Sequence, residues 1–351
     1  MTADILFARQ RHLGFITLNR PEALNALTLS MIKAMQHQLL HWQKDTSIHA
    51  IVIQSAPGKA FCAGGDVRWL YEAGKRKDPE QMQFFWHEYR LNHFIHHLNK
   101  PYIALMDGIT MGGGVGVSLH GSHPVASERF VFAMPETGIG FFPDIGASYL
   151  LARCPGQLGV YLGLTGNRLN AEEALTMQLV KQQVRSEQFP ALLNALEEAD
   201  LSEDAYRGVD DCLSRFAARR GNAEIENHLA ELDHCFRYPH VEAILDSLRE
   251  VDSEWTKNLA SKLLEKAPLS LKITLEQIHK AKSLSMAECV KMDYCLVSHF
   301  MTDHDFYEGV RALLVDKDKA PKWQPDCLER VTSARVADYF ECENALELIN
   351  E

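Results

Sequence analysis

The segment "FAMPETGIGFFPDIGAS" (132–148) holds two ionisable side chains, Glu136 and Asp144, eight positions apart. Their neighbours are apolar, Gly, Pro or small hydroxyl residues. Carboxyls in such company lose hydration, which raises their pKa and suits proton transfer near neutral pH. A continuous helix would separate the two by about 12 Å and a strand by about 26 Å, too far for one small reacting group. Gly138, Gly140, Pro143 and Gly146 interrupt both patterns and let the segment fold back. Spacing alone leaves a second use open and favours it: Asp144 precedes "IGASYLLARC" and can cap a helix there.

Two glycine-rich segments come earlier, "GKAFCAGGDVRWL" (58–70) and "MDGITMGGGVG" (106–116). Glycines after a strand let main-chain N–H groups approach a ligand. One N–H from each segment aimed at a single oxygen would make an oxyanion hole; the alternative is that these glycines serve tight turns. Neither GxGxxG nor GxxxxGK[ST] fits, which disfavours nucleotide-binding loops. The chain has no GxSxG elbow. Cys62 lacks a nearby His in sequence and reads as a small packed residue. His93 and His97 share a helix face, but "HEYRLNH" is not HExxH, and "SHFMTDHDF" is a weak ligand set. No metal site is expected.

The elements that must carry these residues alternate in the first half. "GFITLNR", "HAIVIQSA" and "PYIALMDG" read as strands. "LTLSMIKAMQHQLLHWQKD" reads as a helix capped by Thr28, and "PEQMQFFWHEYRLNHFIHHLNK" as a long helix starting at Pro79. "GGGVGVSLHG" reads as a turn opening a short helix. Strands and helices taking turns indicate an α/β fold with largely parallel sheets. From about Ala191 the sequence becomes nearly all helix-forming. This divides the chain into an α/β core, 1–190, and a helical C-terminal region, 191–351, packing on the core or on a partner subunit.

The 351 residues are 46% hydrophobic and 24% charged, ordinary for a globular protein with a sizeable core. A net charge of −11 argues against nucleic acid and anionic membrane surfaces as partners. No apolar run reaches the roughly 18–20 residues of a membrane span. The opening "MTADILFARQRHLGFITLNRP" has no apolar signal core and reads as a strand pair, so no secretory or transit peptide is expected. Eight cysteines without CxxC spacing fit reduced thiols in the cytosol.

Taken in order, "LNRPEALNAL", "GKAFCAGGD", "KPYIALMDGITMGGGVG" and "FAMPETGIGFFPDIGASYLLARCPG" resemble the crotonase (enoyl-CoA hydratase/isomerase) superfamily. The likeness runs from about residue 4 to residue 183. "APLSLKIT" and "DFYEGVRALLVDKDKAPKW" extend it to the longer branch that contains 3-hydroxyisobutyryl-CoA hydrolase. The resemblance implies a spiral of ββα units with a helical extension. It implies an oxyanion hole at the N–H groups of Gly65 and Gly113, and a CoA channel along Asn25, Ala26 and Leu27 and the loop Ala63, Gly64 and Asp66. Hydratases of the family carry a second catalytic glutamate where this chain has Gly116. The hydrolase branch instead pairs Glu136 with Asp144, with Glu88 facing the acyl group. The implied reaction is hydrolysis of an acyl-CoA thioester, Glu136 acting as nucleophile or general base and Asp144 assisting. The substrate most strongly implied is 3-hydroxyisobutyryl-CoA, an intermediate of valine breakdown. No cofactor is expected beyond the CoA of the substrate, and a homo-oligomer is left open. The competing readings are an enoyl-CoA hydratase or isomerase, and a non-catalytic acyl-CoA binder.

Overall fold

A computed structural model describes residues 3–251, 253–342 and 345–349. Two sheets organise it. The larger has the order β1 (Ile5–Gln10), β2 (Leu13–Leu18), β3 (Ala50–Ser55), β5 (Tyr102–Met106), β7 (His123–Ala126) and β9 (Gln182–Gln183). Only β1 runs antiparallel, as the edge of a hairpin with β2; the other pairs are parallel. The smaller sheet is parallel throughout, β4 (Ala60–Cys62), β6 (Ile109–Met111) and β8 (Val131–Ala133).

The alternation of side chains along a strand explains why the larger sheet needs cover on both faces. Leu13 and Phe15 of β2 point to one side and Ile16 and Leu18 to the other, and all four are buried. The first pair packs under α8 (Phe189–Glu198) and α9 (Ala205–Phe216), through Leu192, Leu196, Val209 and Leu213. The second pair faces the main core, shared with α1 (Leu29–Lys44) and α3 (Glu80–His96). Thr28 caps α1 as its sequence foretells, its Oγ1 accepting from Met31 N–H at 3.3 Å. Shorter helices follow the strands: α2 (Val67–Lys75), α4 (Gly113–Gly116), α5 (Ala147–Leu151), α6 (Leu158–Thr165) and α7 (Ala171–Thr176).

Beyond α9 the chain is helical, through α10 (Leu229–Cys235), α11 (Val241–Val251), α12 (Glu254–Leu264), α13 (Pro268–Ala281), α14 (Met286–Phe300) and α15 (Asp305–Val310). These helices join the main core: α14 lies along α3, α13 against α5 and α6, and α15 against α2 and the turn at Glu136–Ile139. The expectation of reduced thiols fails at one pair, Cys295 and Cys342, which form a disulfide. The other six cysteines are free, five of them buried. Nothing in the spacing marks that pair, because 47 residues separate its members and the fold alone brings them together.

Candidate active site

The smaller sheet explains the convergence of the site. Because β4, β6 and β8 are parallel, with one register shift between Ala60 and Cys62 on β4, their C-terminal ends open on one side. Gly65 follows β4 by three residues, Gly113 follows β6 by two, and Glu136 follows β8 by three. Three loops distant in sequence thus meet at one cavity of about 100 Å³, lined by Gly65, Gly113, Glu88, Glu136, Asp144 and Phe306 among others. Ligand sites at the carboxyl ends of parallel strands are the general rule for α/β folds.

Gly113 opens α4, so its N–H belongs to the donors that a helix start leaves without an internal partner. A Cβ built on Gly113 would lie 3.3 Å from Gly65 N and 2.4 Å from Glu88 Oε1. The two N–H groups are therefore near neighbours, with the Glu88 carboxyl pressed against them, and no side chain fits between. Glu136 sits on the adjoining side: a Cβ on Gly112 would lie 3.3 Å from Glu136 Oε1. The opening acid of the short 3-10 turn Glu136–Ile139 is thereby held over the glycine loop.

Asp144 does not cap α5; Gly146 occupies that cap position, with no side-chain bond. The Asp144 carboxylate instead accepts a hydrogen bond from Tyr89 Oη at 2.8 Å. Tyr89 follows Glu88 on α3, and its role has no mark in the sequence. Glu88, Glu136 and Asp144 are all buried. Burial pushes the Glu136 and Glu88 carboxyls well above the ordinary carboxylate range, and the nearby Asp144 charge pushes each further. Burial also raises Asp144, to about 7, against the lowering effect of the Tyr89 bond. Among the described residues, Glu88 Oε1 and Glu136 Oε2 are buried without a hydrogen-bond partner. Both oxygens belong to residues lining the cavity, as an arrangement for gripping and attacking a polar ligand requires.

The remaining residues named from the sequence fall in two places. Ala63 and Gly64 line the same cavity. Asn25, Ala26 and Leu27 brace the glycine loop from behind. Asn25 donates to Ala60 O at 3.0 Å and accepts from Arg20 N–H at 2.8 Å, while Leu27 N–H donates to Gly64 O at 2.8 Å. Ala26 supplies its carbonyl to Arg20. Asp66 caps α2 through Trp69 N–H and pairs with Arg20 at 2.9 Å. It also lines a second, open cleft of about 440 Å³ with Arg20, Ser30, Lys33, Trp69 and Glu80. No cluster of three or more His, Cys, Asp or Glu able to hold a metal occurs among the described residues. The phenyl rings of Phe85, Phe141 and Phe306 pack in succession at 6.0 and 5.5 Å beside the acids. Phe306 arrives from α15, a contribution of the C-terminal helices to the cavity wall.

Two adjacent main-chain N–H groups beside desolvated carboxyls are an arrangement able to hold a carbonyl oxygen that gains negative charge. The chain belongs to the enoyl-CoA hydratase/isomerase family, whose sequence model matches residues 13–340. It is 42% identical over 354 residues to a protein named 3-hydroxyisobutyryl-CoA hydrolase, mitochondrial, from Rattus norvegicus, covering 99% of this chain and 91% of that one. The protein of that name from Xenopus tropicalis is 44% identical over 332 residues, covering 93% and 86%. Among solved structures, a carnitinyl-CoA dehydratase from Mycobacterium thermoresistibile superposes with a TM-score of 0.93 at 35% identity, with both chains fully covered. An enoyl-CoA hydratase from Rhodobacter sphaeroides superposes at 0.89 and 33% identity, covering 97% of this chain and 98% of that one. The expected cytosolic location is overturned by these relatives, which are mitochondrial by name. Scattered free thiols speak against an oxidising compartment but do not tell one reducing compartment from another.

Proposed function

We propose that this chain hydrolyses short 3-hydroxyacyl-CoA thioesters, with 3-hydroxyisobutyryl-CoA as its principal substrate. The observation that carries the reading is the meeting of Gly65, Gly113, Glu136 and Asp144 at one cavity, in a chain whose relatives bear that hydrolase name. The thioester oxygen accepts from the N–H groups of Gly65 and Gly113, and the carbonyl carbon then faces Glu136. Attack by the Glu136 carboxylate, or by a water it deprotonates, forms the new C–O bond. The C–S bond breaks and CoA leaves as thiolate; where Glu136 itself attacks, water then opens the acyl–Glu136 anhydride to the free acid, and Asp144 assists the proton transfers. Glu88 holds the 3-hydroxyl. The CoA nucleotide lies along the cleft lined by Arg20, Lys33 and Asp66. CoA enters as part of the substrate, so this chemistry draws on no cofactor. In this reading residues 1–190 carry the reacting groups, and residues 191–351 close the acyl cavity.

Hydration or dehydration of an enoyl-CoA is the second reading, favoured by the names of the two similar solved proteins. The local packing speaks against it. A Cβ on Gly116 would lie 2.6 Å from Asn92 Nδ2 and 3.1 Å from Ile145 Cβ, so this chain has no room there for a second glutamate. Free-thiol release from 3-hydroxyisobutyryl-CoA, measured beside the loss of crotonyl-CoA absorbance, separates the two. Thiol release that falls at least about 10³-fold in Glu136→Gln is expected. Hydration without thiol release would transfer the chain to the second reading. Solvent oxygen-18 entering Glu136 during one turnover identifies the attacking carboxylate, through an anhydride opened at the Glu136 carbonyl.

A further inference from the structure

The turn that carries Asp144 has an unfavourable main-chain conformation. Ile145 has φ of 58° and Gly146 of 73°. A β-branched residue in the left-handed region is an outlier that persists only where its surroundings over-determine it. Those surroundings are three buried side chains from three other elements. Gln277 Nε2 of α13 donates to Pro143 O at 3.0 Å, His120 Nε2 donates to Ile145 O at 2.8 Å, and Gly146 N–H donates to Asp293 Oδ2 of α14 at 2.6 Å. Gln277 Nε2 also donates to Asp293 Oδ1 at 2.8 Å, which joins two of the three into one clamp on both ends of the turn.

Asp293 and Gln277 are completely buried. No ion pair involves Asp293 among the described residues, so its carboxylate is held by the hydrogen bonds it accepts. A buried position in the middle of a helix is ordinarily apolar, and an acid there is costly unless its acceptor capacity is used. Here both oxygens are used, and one partner is the N–H two residues from Asp144. The same helix packs along α3, from which Tyr89 reaches the Asp144 carboxylate. One element therefore sets both the main chain beneath Asp144 and the helix that supplies its hydroxyl partner.

We infer that Asp293, acting with Gln277, is a positioning residue that fixes Asp144 at the acyl cavity through the main chain of Pro143–Gly146. This rests on the hydrolase reading for its kinetic arm only. Asp293→Ala leaves Gly146 N–H without its acceptor and releases the turn. It is expected to lower kcat at least about 30-fold with KM within about threefold, since ångström-scale misplacement acts on the chemical step. Asp293→Asn keeps an acceptor for Gly146 N–H but turns its Nδ2 toward Gln277 Nε2, so it is expected to recover kcat to about the level of Gln277→Ala; loss of the turn, not of a negative charge, is then the cause of the larger deficit in Asp293→Ala. Gln277→Ala, which frees only the Pro143 end, is expected to lower kcat about tenfold and stands in if Asp293→Ala does not fold. The variants are compared at temperatures where thermal melts show each folded.

A crystal structure supplies the second arm: in the folded variant with the larger loss, Ile145 leaves the left-handed region and the Tyr89–Asp144 bond lengthens or breaks. If kcat stays within twofold of wild type in Asp293→Ala and Gln277→Ala, or if the turn and the Tyr89 bond are unmoved, the inference fails. A wild-type chain that releases no CoA from 3-hydroxyisobutyryl-CoA refutes the hydrolase reading instead. The structural arm then still decides the role of Asp293.

Discussion

Replacing Asp144 by Asn should stabilise the fold, and by an amount that depends on pH. Burial raises this carboxyl from its ordinary 3.8 to about 7, so the folded state holds a proton that the unfolded chain gives up. Below about pH 3.8 both states are protonated and the acid costs nothing extra. Between 3.8 and 7 the unfolded chain is increasingly favoured by ionising, and above 7 the folded protein carries the full cost. At about 1.36 kcal/mol per pKa unit the plateau is about 4 kcal/mol. Asn does not titrate, keeps the shape and offers Oδ1 to Tyr89 Oη. The variant should therefore exceed wild type by about 4 kcal/mol at pH 8 and by under about 1 kcal/mol at pH 4. For a chain of 351 residues that is a Tm gain of about 5 °C at pH 8. Urea titrations and thermal melts at pH 4, 6 and 8 measure it. A difference that is constant with pH, or a variant less stable than wild type at pH 8, would refute the argument that this site keeps desolvated, uncompensated acid.

Two further predictions probe the oxyanion donors and the acyl wall. Gly113→Ala keeps its own N–H but puts a methyl group 2.4 Å from Glu88 Oε1 and 3.3 Å from Gly65 N, and should lower thiol release about 10²-fold by displacing the carbonyl oxygen and the Glu88 carboxyl. Retention of more than half the activity would mean that the space between the Gly65 and Gly113 N–H groups does not hold the reacting carbonyl. Phe306→Ala opens a cavity of about 100 Å³ at its α15 wall and should raise kcat/KM for a six-carbon acyl-CoA relative to a four-carbon one about tenfold. An unchanged ratio in an acyl-CoA series would mean that another residue sets the limit.

What the sequence disclosed and what it withheld divide along the range of the interactions. Thr28 and Pro79 mark helix starts because capping and the fixed proline φ act within one turn, and both helices begin where those residues stand. The larger sheet is legible because "FITL", "AIVI" and "YIALM" are buried on both faces. The smaller sheet is not, since "AFC", "ITM" and "VFA" are three-residue strands whose pairing is set by their neighbours. Glu136, Asp144, Gly65 and Gly113 stand out by type and setting, yet spacing alone preferred a cap for Asp144; the family resemblance reversed that. Tyr89, Gln277 and Asp293 carry no local mark. Their bonds to the turn or its carboxylate span 55, 134 and 147 residues, and only the packed helices create them.

Several departures from ordinary folding chemistry gather around this one segment. Elsewhere Asn170, Ser253 and Ser285 close capping boxes, and Asp66, Asp107 and Asp303 each pair with an arginine. Around the turn, Glu88, Glu136, Asp144 and Asp293 are buried, none has an ion-pair partner among the described residues, and Ile145 takes a left-handed φ. A nearby arginine would lower these carboxyl pKa values and stabilise the fold, but it would also hold the acids ionised and occupy the oxygens that Glu88 and Glu136 leave free. On the proposed hydrolase chemistry, in which these acids donate and accept protons, the lack of a paired cation among the described residues keeps them able to do both. The stability that Asp144→Asn is expected to restore measures what that lack costs.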